Sequence, residues 1–467
     1  MIGAVSRPPH HDHGDLGDAI DLGEARWDAE KGGAPWRPPA WVSVTGKVVA
    51  LALVALGTVS AASTPAIPQL GEPLWSARVA WDSFSLGRDL VYLRDGQHAM
   101  VARDARTGVE VWRREVSGNP MSVSEVGPEL TTIFNSVRST TGETWSTVFL
   151  DPATGQVLGE REATTAALLI EGATPAEYRV LLYGSQEGRS PECPEGHCGE
   201  LTLIDPPSLE PLWRFMTRRE ERLVASFVGN DGYDTTDGFA LLTQDGRATI
   251  FEAPTSGPRL TVDVGAGATN GVLTRESLIV ASRLGQHMVV TAYDRVSGDR
   301  RWETYAPLGP VTEGTGYFYV DECGAMICGM TLAGTALLEP ATGRLVTVIA
   351  DHSVMSVGHG LILSTRGGFP SAPTDSMAIR DAADGRPITE LPHAFSIDWA
   401  DPARPGYLLM QLGAERESRI ILVEEHGRTR VLGTIPAQAL TCMARGELLA
   451  CHHTGGEVSI WQLPFAA

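Results

Sequence analysis

The sequence predicts an all-β propeller, closed by its own two ends and preceded by one apolar span. Three observations predict it. The 467 residues include 51 Gly and 30 Pro, which supply many turns and argue against long helices. The frame Ala-x-Asp-x-x-x-Gly-x-x-x-Trp occurs from Ala102 to Trp112 and again from Ala292 to Trp302. With weaker copies of the frame included, acids stand at positions 104, 151, 205, 252, 294, 339, 381 and 424, 42 to 54 residues apart, the length of one four-stranded blade.

Residues 1–46 form a polar tail with Asp15, Asp18 and Asp21, expected to be solvated, disordered and cytoplasmic. The cluster His10, His11, Asp12 and His13 could chelate a metal, but its surroundings favour a solvated segment. From Val48 to Ala62 the chain is uncharged and apolar, and no acid follows before Glu72. Residues 47–67 are therefore expected to form a transmembrane signal anchor, since a spanning helix needs ~20 such residues. Lys31, Arg37 and Lys47 precede the span and no basic residue follows it until Arg78, which places residues 71–467 outside the cytoplasm of a single-pass cell-membrane protein. The competing reading is a cleaved signal peptide, because Val59-Ser60-Ala61 and Ser60-Ala61-Ala62 have the form of a cleavage site. Both readings export the bulk of the chain.

Within each repeat the acid is expected to accept local backbone N–H groups, and the glycine to take the left-handed conformation that closes the hairpin. The acids and glycines in this role are Asp104 and Gly108, Asp151 and Gly155, Asp205, Asp294 and Gly298, Glu339 and Gly343, and Asp381 and Gly385. Trp112, Trp213 and Trp302 end the frame on the outermost strand, where an indole can cover the flank of the next blade. All of these are expected to be architectural, and none catalytic. The run Glu457 to Leu463 reads as a third strand without a successor, and Gly71 to Trp75 as an outer strand without a predecessor, so the two should share one blade. Eight turns plus that blade give nine units, but the copies at 252 and 424 are degenerate, and eight blades are expected with nine as the alternative.

The six cysteines fall into local pairs: Cys193 with Cys198, Cys323 with Cys328, and Cys442 with Cys451. An even number in an exported chain reads as structural disulfides. The second and third pairs sit at the same phase of the repeat and should staple the same kind of hairpin. Zinc at Cys442, Cys451, His452 and His453, or at Cys193, His197 and Cys198, is the sharper alternative, but the spacings are not those of a zinc ribbon. With 37 basic against 57 acidic residues, a net charge of -20, nucleic acid is not expected as a partner. No Gly-x-Ser-x-Gly elbow, phosphate loop or His-Glu-x-x-His is present.

The repeated acid, glycine and tryptophan frame resembles the tryptophan-docking repeat of the pyrroloquinoline-quinone-like β-propellers, a family with quinoprotein dehydrogenase and BamB-like branches. The stretch Ile20 to Glu24 ahead of one span also looks like the tail of actinobacterial membrane-anchored members. The resemblance covers residues 71–467 and implies the fold. Pyrroloquinoline quinone with calcium is its implied cofactor in the enzymatic branch, but the adjacent cysteines characteristic of that branch are missing here, and no cofactor is expected. The expected function is a non-enzymatic, membrane-tethered, monomeric scaffold that binds a cell-envelope protein or other membrane-associated partner. A quinone- or metal-dependent oxidoreductase and a ligand-sensing propeller are the alternatives. The long excursions 135–147, 186–199, 229–238 and 367–375 are the expected contact surfaces.

Overall fold

The computed structural model describes residues 69–465 except for short segments, the longest being 172–177, 188–196, 308–318 and 367–376. The tail 1–46, the apolar segment 47–67 and the excursion 367–375 lie outside the described residues. Among those described, no helix is long and apolar enough to cross a membrane, and helical structure is confined to a 3-10 turn at Glu425–Gly427.

Nine antiparallel sheets follow one another along the chain, each built around four strands in up-and-down order. Their first strands are Phe84–Leu86, Asn119–Glu125, Thr164–Glu171, Arg222–Ala225, Ala268–Leu273, Tyr319–Cys323, His352–Ser356, Ala394–Ser396 and Ala439–Arg445. First strands touch first strands: Phe84–Leu86 meets both Asn119–Glu125 and Ala439–Arg445, and Tyr319–Cys323 meets Ala268–Leu273 and His352–Ser356. That arrangement puts them around a common axis, with the fourth strands at the rim. The domain is a nine-bladed β-propeller, so the preference for eight blades is corrected. The degenerate turns at 252 and 424 each close a full blade, Arg247–Glu252 with Pro258–Asp263 and Ser418–Val423 with Thr429–Ile435. A hairpin needs compatible backbone geometry more than a motif. At the second of them His426 and Gly427, at φ 62 and 74, make the reversal without the usual frame.

The ring closes as its termini require. Trp75–Arg78 is the outer strand of the ninth blade, paired antiparallel with Glu457–Gln462 from Trp75↔Ile460 to Arg78↔Glu457. The strand begins at Trp75, where the sequence had suggested that it ends; residues 71–74 lead into it. Gln69 and Leu70 reach across to Thr434 in the eighth blade, Leu70 N donating to Thr434 O at 3.1 Å.

The core lies between blades. Leu93, Ala450 and Ile460 form one cluster across the ninth and first blades, and Ile133, Tyr92 and Trp112 another across the first and second. Alternate residues of each strand serve opposite flanks, which is why the second and third strands read as nearly continuous apolar runs such as Leu278 to Ala281.

Two blades carry added strands on the axial side, two on the third and one on the ninth. The excursion within the fourth blade forms Val228–Asn230 and Tyr233–Thr236, and the latter adds in parallel to the first strand of the third blade through Leu169↔Thr235 and Ile170↔Thr236. Within the eighth blade, Asp398–Ala400 adds in parallel to the first strand of the ninth, Asp398↔Met443 to Ala400↔Arg445. The excursion at 229–238 is therefore bound back onto the sheet instead of standing free. The excursion 135–147 is the continuation of one hairpin, Thr131–Ser139 with Gly142–Leu150.

Candidate binding site

The turn acids act as read from the sequence. Asp104 Oδ1 accepts from Thr107 N and Thr107 Oγ1, both at 2.7 Å, and Gly108 N donates to Asp104 O at 2.9 Å. Asp151 does the same with Thr154 and Gly155, and Asp294 with Val296, Ser297 and Gly298. Glu339 accepts from Thr342 Oγ1 at 2.6 Å, Asp205 from Ser208 Oγ at 3.1 Å, and Asp381 from Ala383 N at 2.9 Å. These bonds hold Asp104 below the usual carboxylate range, and two backbone donors plus Arg301 bring Asp294 to about 2. The acids are thus spent on turns.

The tryptophans tie each blade to the next. Trp112 Nε1 donates to Pro152 O at 2.9 Å and Trp302 Nε1 to Pro340 O at 2.7 Å, one residue past the turn acid of the following blade. Their rings lie on that turn's glycine: a Cβ on Gly155 would stand 2.5 Å from Trp112, and one on Gly343 2.3 Å from Trp302. Trp75 does the same across the closure, donating to Ala105 O at 3.0 Å and covering Gly108. Trp213 stacks on Phe251 at 6.1 Å. Gly298 and Gly385 are covered by Leu260 and Val262 and by Thr347 and Ile349 instead, so aliphatic side chains take the tryptophan's place.

Cys323 is bonded to Cys328 and Cys442 to Cys451. Each bridge joins the first and second strands of its blade, the sixth and the ninth, as the shared phase predicted. The sulfurs of Cys442 and Cys451 are engaged with each other, so the four-ligand zinc arrangement is not formed. The side chains of Cys193, His197 and Cys198 lie outside those described.

None of these residues lines the cavity among the first strands. That cavity, of about 370 Å³, opens between the first strands of the ninth, first and second blades, lined by six consecutive residues, Pro120 to Glu125, and on the other sides by Phe84, Leu86, Met443 and Arg445. Its volume falls within the ~300–1,000 Å³ of ligand sites. The gap lies between two first strands of seven residues, Asn119–Glu125 and Ala439–Arg445, with Phe84–Leu86 between them.

Polar groups clasp the rim of that gap. Glu125 Oε2 accepts from Arg88 N at 2.8 Å and Oε1 from Tyr92 OH at 2.9 Å, while Tyr92 OH also lies 3.0 Å from Thr131 Oγ1. Glu125 can cross to the first blade only because residue 87 is glycine, where a Cβ would lie 1.8 Å from Oε1. Arg445 Nε donates to Leu86 O at 3.4 Å. Arg94, buried at 5% exposure, donates to Pro120 O at 3.0 Å and bonds Asn119; burial pulls it below its ordinary value. These contacts position the walls. Met121, 47% exposed, and the exposed Ser122 and Ser124 supply the open surface.

A second locale lies at the corresponding ends of the fifth and sixth first strands. Burial, with the charges of Asp321 and Asp237, pushes Glu322 up to about 7, partly offset by Arg275; burial also raises Asp321. Asp237 Oδ1 accepts from the buried Arg295 at 3.0 Å, and Asn270 Oδ1 from Val320 N at 3.2 Å. Among the described residues no three His, Cys, Asp or Glu are gathered, and Asp237 is paired with Arg295.

The cavity residues escaped sequence reading because they belong to first strands, whose distance from the turn acid varies from blade to blade. The available signal was an acid ending a first strand, Glu125 or Glu322, opposite an arginine in the preceding blade's first turn, Arg88 or Arg275.

No protein-family model matches the chain, and no curated protein matches it. Among solved structures it is similar to the computationally designed Ika8 protein, at 10% identity over 84% of this chain and 98% of that one, with TM-score 0.42. It is similar to BamB from Moraxella catarrhalis at 14% identity over 85% and 98%, TM-score 0.40. A third is the dihydro-heme d1 dehydrogenase NirN, at 13% identity over 80% and 77%, TM-score 0.44. The assignment as a propeller rests on the sheet order of the chain itself.

Proposed function

We propose that this chain is a non-enzymatic propeller scaffold of the pyrroloquinoline-quinone-like repeat type, displayed outside the cytoplasm on residues 47–67 and binding a protein of the cell envelope. The repeat type is supported by three indoles docked on the next blade's glycine, at Trp75, Trp112 and Trp302. Export is supported by the two disulfides, which persist in oxidising compartments. The observation that carries binding is the cavity between Pro120–Glu125 and its neighbours, a concave site on a rigid frame whose polar groups are committed to wall bonds.

Mild crosslinking of the full chain in its own membranes tests this reading, with Ser122→Arg as the blocked control. One protein species recovered with the wild type and lost with the variant is expected; no partner in either sample overturns the proposal. The oxidoreductase alternative predicts a new absorption band and dye reduction after addition of calcium and the quinone.

A further inference from the structure

We propose that the cavity takes an extended peptide segment as an added β-strand on the axial edge of Asn119–Glu125. The inference rests on the scaffold reading and specifies how that scaffold holds its partner.

Among the described residues Asn119–Glu125 is the terminal strand of its sheet, paired on one side only, with Thr131–Ser139. Val126 N donates to Leu130 O at 2.8 Å, which fixes the alternation of the ladder. Residues 124 and 122 then bond to the neighbouring strand, and the N–H and C=O groups of Val123 and Glu125 face the axis. An exposed edge of this kind is a template for another strand.

The protein itself shows that axial edges accept strands. Tyr233–Thr236 is added to the third blade and Asp398–Ala400 to the ninth, both in parallel. The second of these covers the first strand of the ninth blade at Met443–Arg445, on the far side of the same cavity. Among the described residues the edge carries no such strand; it is regular over Ser122–Glu125, about 13 Å of strand at ~3.3 Å per residue, and has the cavity along it.

The occupant's side chains follow from the walls. Phe84, Leu86, Met100 and Met443 line the cavity, so alternate residues of the segment should be apolar. The chain's net charge of -20 disfavours an acidic segment. The occupant is thus an extended, neutral to basic segment of a partner protein, with apolar residues at every second position, lying parallel to Asn119–Glu125.

The test uses the purified full chain and an array of dodecapeptides of neutral to basic composition, including peptides from residues 1–68 of this chain. The best binder is resynthesised twice, N-methylated at one or the other set of alternate residues. Methylation of one set should weaken binding by at least ~30-fold, as two or three lost backbone hydrogen bonds require, while the other set changes it little. Amide exchange should slow at Val123 and Glu125. Equal tolerance of both sets, or protection mapping to the rim, overturns the strand addition and leaves the scaffold reading standing. Selective binding of the 1–68 peptides overturns the assignment to a partner. Failure of every peptide, together with no crosslinked protein, overturns both readings.

Discussion

Gly155 shows how closely one residue is constrained here. It sits at φ +64, and an added Cβ would lie 2.5 Å from the ring of Trp112. Gly155→Ala therefore combines backbone strain with a clash, and a loss of ~1–3 kcal/mol is expected, measured by urea unfolding. The equivalent position of the third blade is Leu209, at φ 56, whose side chain packs beside Phe149 and Val180. The same turn thus tolerates a side chain where no indole covers it. Glu322 provides a pH-dependent test. It ionises at 4.5 ordinarily and at about 7 in the folded protein, so the native state holds the extra proton between those values. Its contribution to stability is greatest below pH 4.5 and declines as pH rises to about 7. Denaturation at pH 5 and pH 8 should show Glu322→Gln with a flatter decline than the wild type; an unchanged slope would exclude this account.

Among elements, the outer strand is the one that joins blades. Trp302, 8% exposed, contributes a ring on Gly343 and a hydrogen bond to Pro340. Trp302→Ala should cost ~3–5 kcal/mol by thermal or urea melting, and Trp302→Phe clearly less, because the ring contact survives without the N–H. The inner hairpins are stapled by bridges closing sequence separations of only 5 and 9 residues. Loop-closure entropy then limits each to ~2–3 kcal/mol. Reductant should lower the melting temperature while circular dichroism retains the β spectrum; complete unfolding by reductant alone would show that the inter-blade core is weaker than its burial indicates. Both elements were legible, since Asp, Gly, Trp and Cys recur at near-constant phase. Glu125 and Arg445 were not, because first-strand lengths vary and no spacing fixes which side chains meet across them.

For the propeller domain as a whole, closure depends on ten residues at its N-terminal edge. Trp75–Arg78 completes the ninth sheet, Leu70 bonds Thr434, and Trp75 covers Gly108 of the first blade. Removing residues 69–78 would expose the edge of Glu457–Gln462 and uncover the first turn, so the truncated chain should self-associate on size exclusion and unfold earlier. A monomeric profile with unchanged melting would contradict this role.

The sequence by itself determined the repeat, the chemistry of each turn, the docking of the indoles and the strands that seal the ring, because each of these is local or recurs at a fixed phase. Tertiary structure decided what depends on distant segments meeting. Degenerate turns at 252 and 424 still close complete sheets, which makes nine blades. Excursions at 228–236 and 398–400 fold back onto axial edges. First strands of the ninth, first and second blades enclose the cavity between them. Hydrogen-bonding edges are common to every strand, so composition cannot say which of them finds a partner; only the packed ring does.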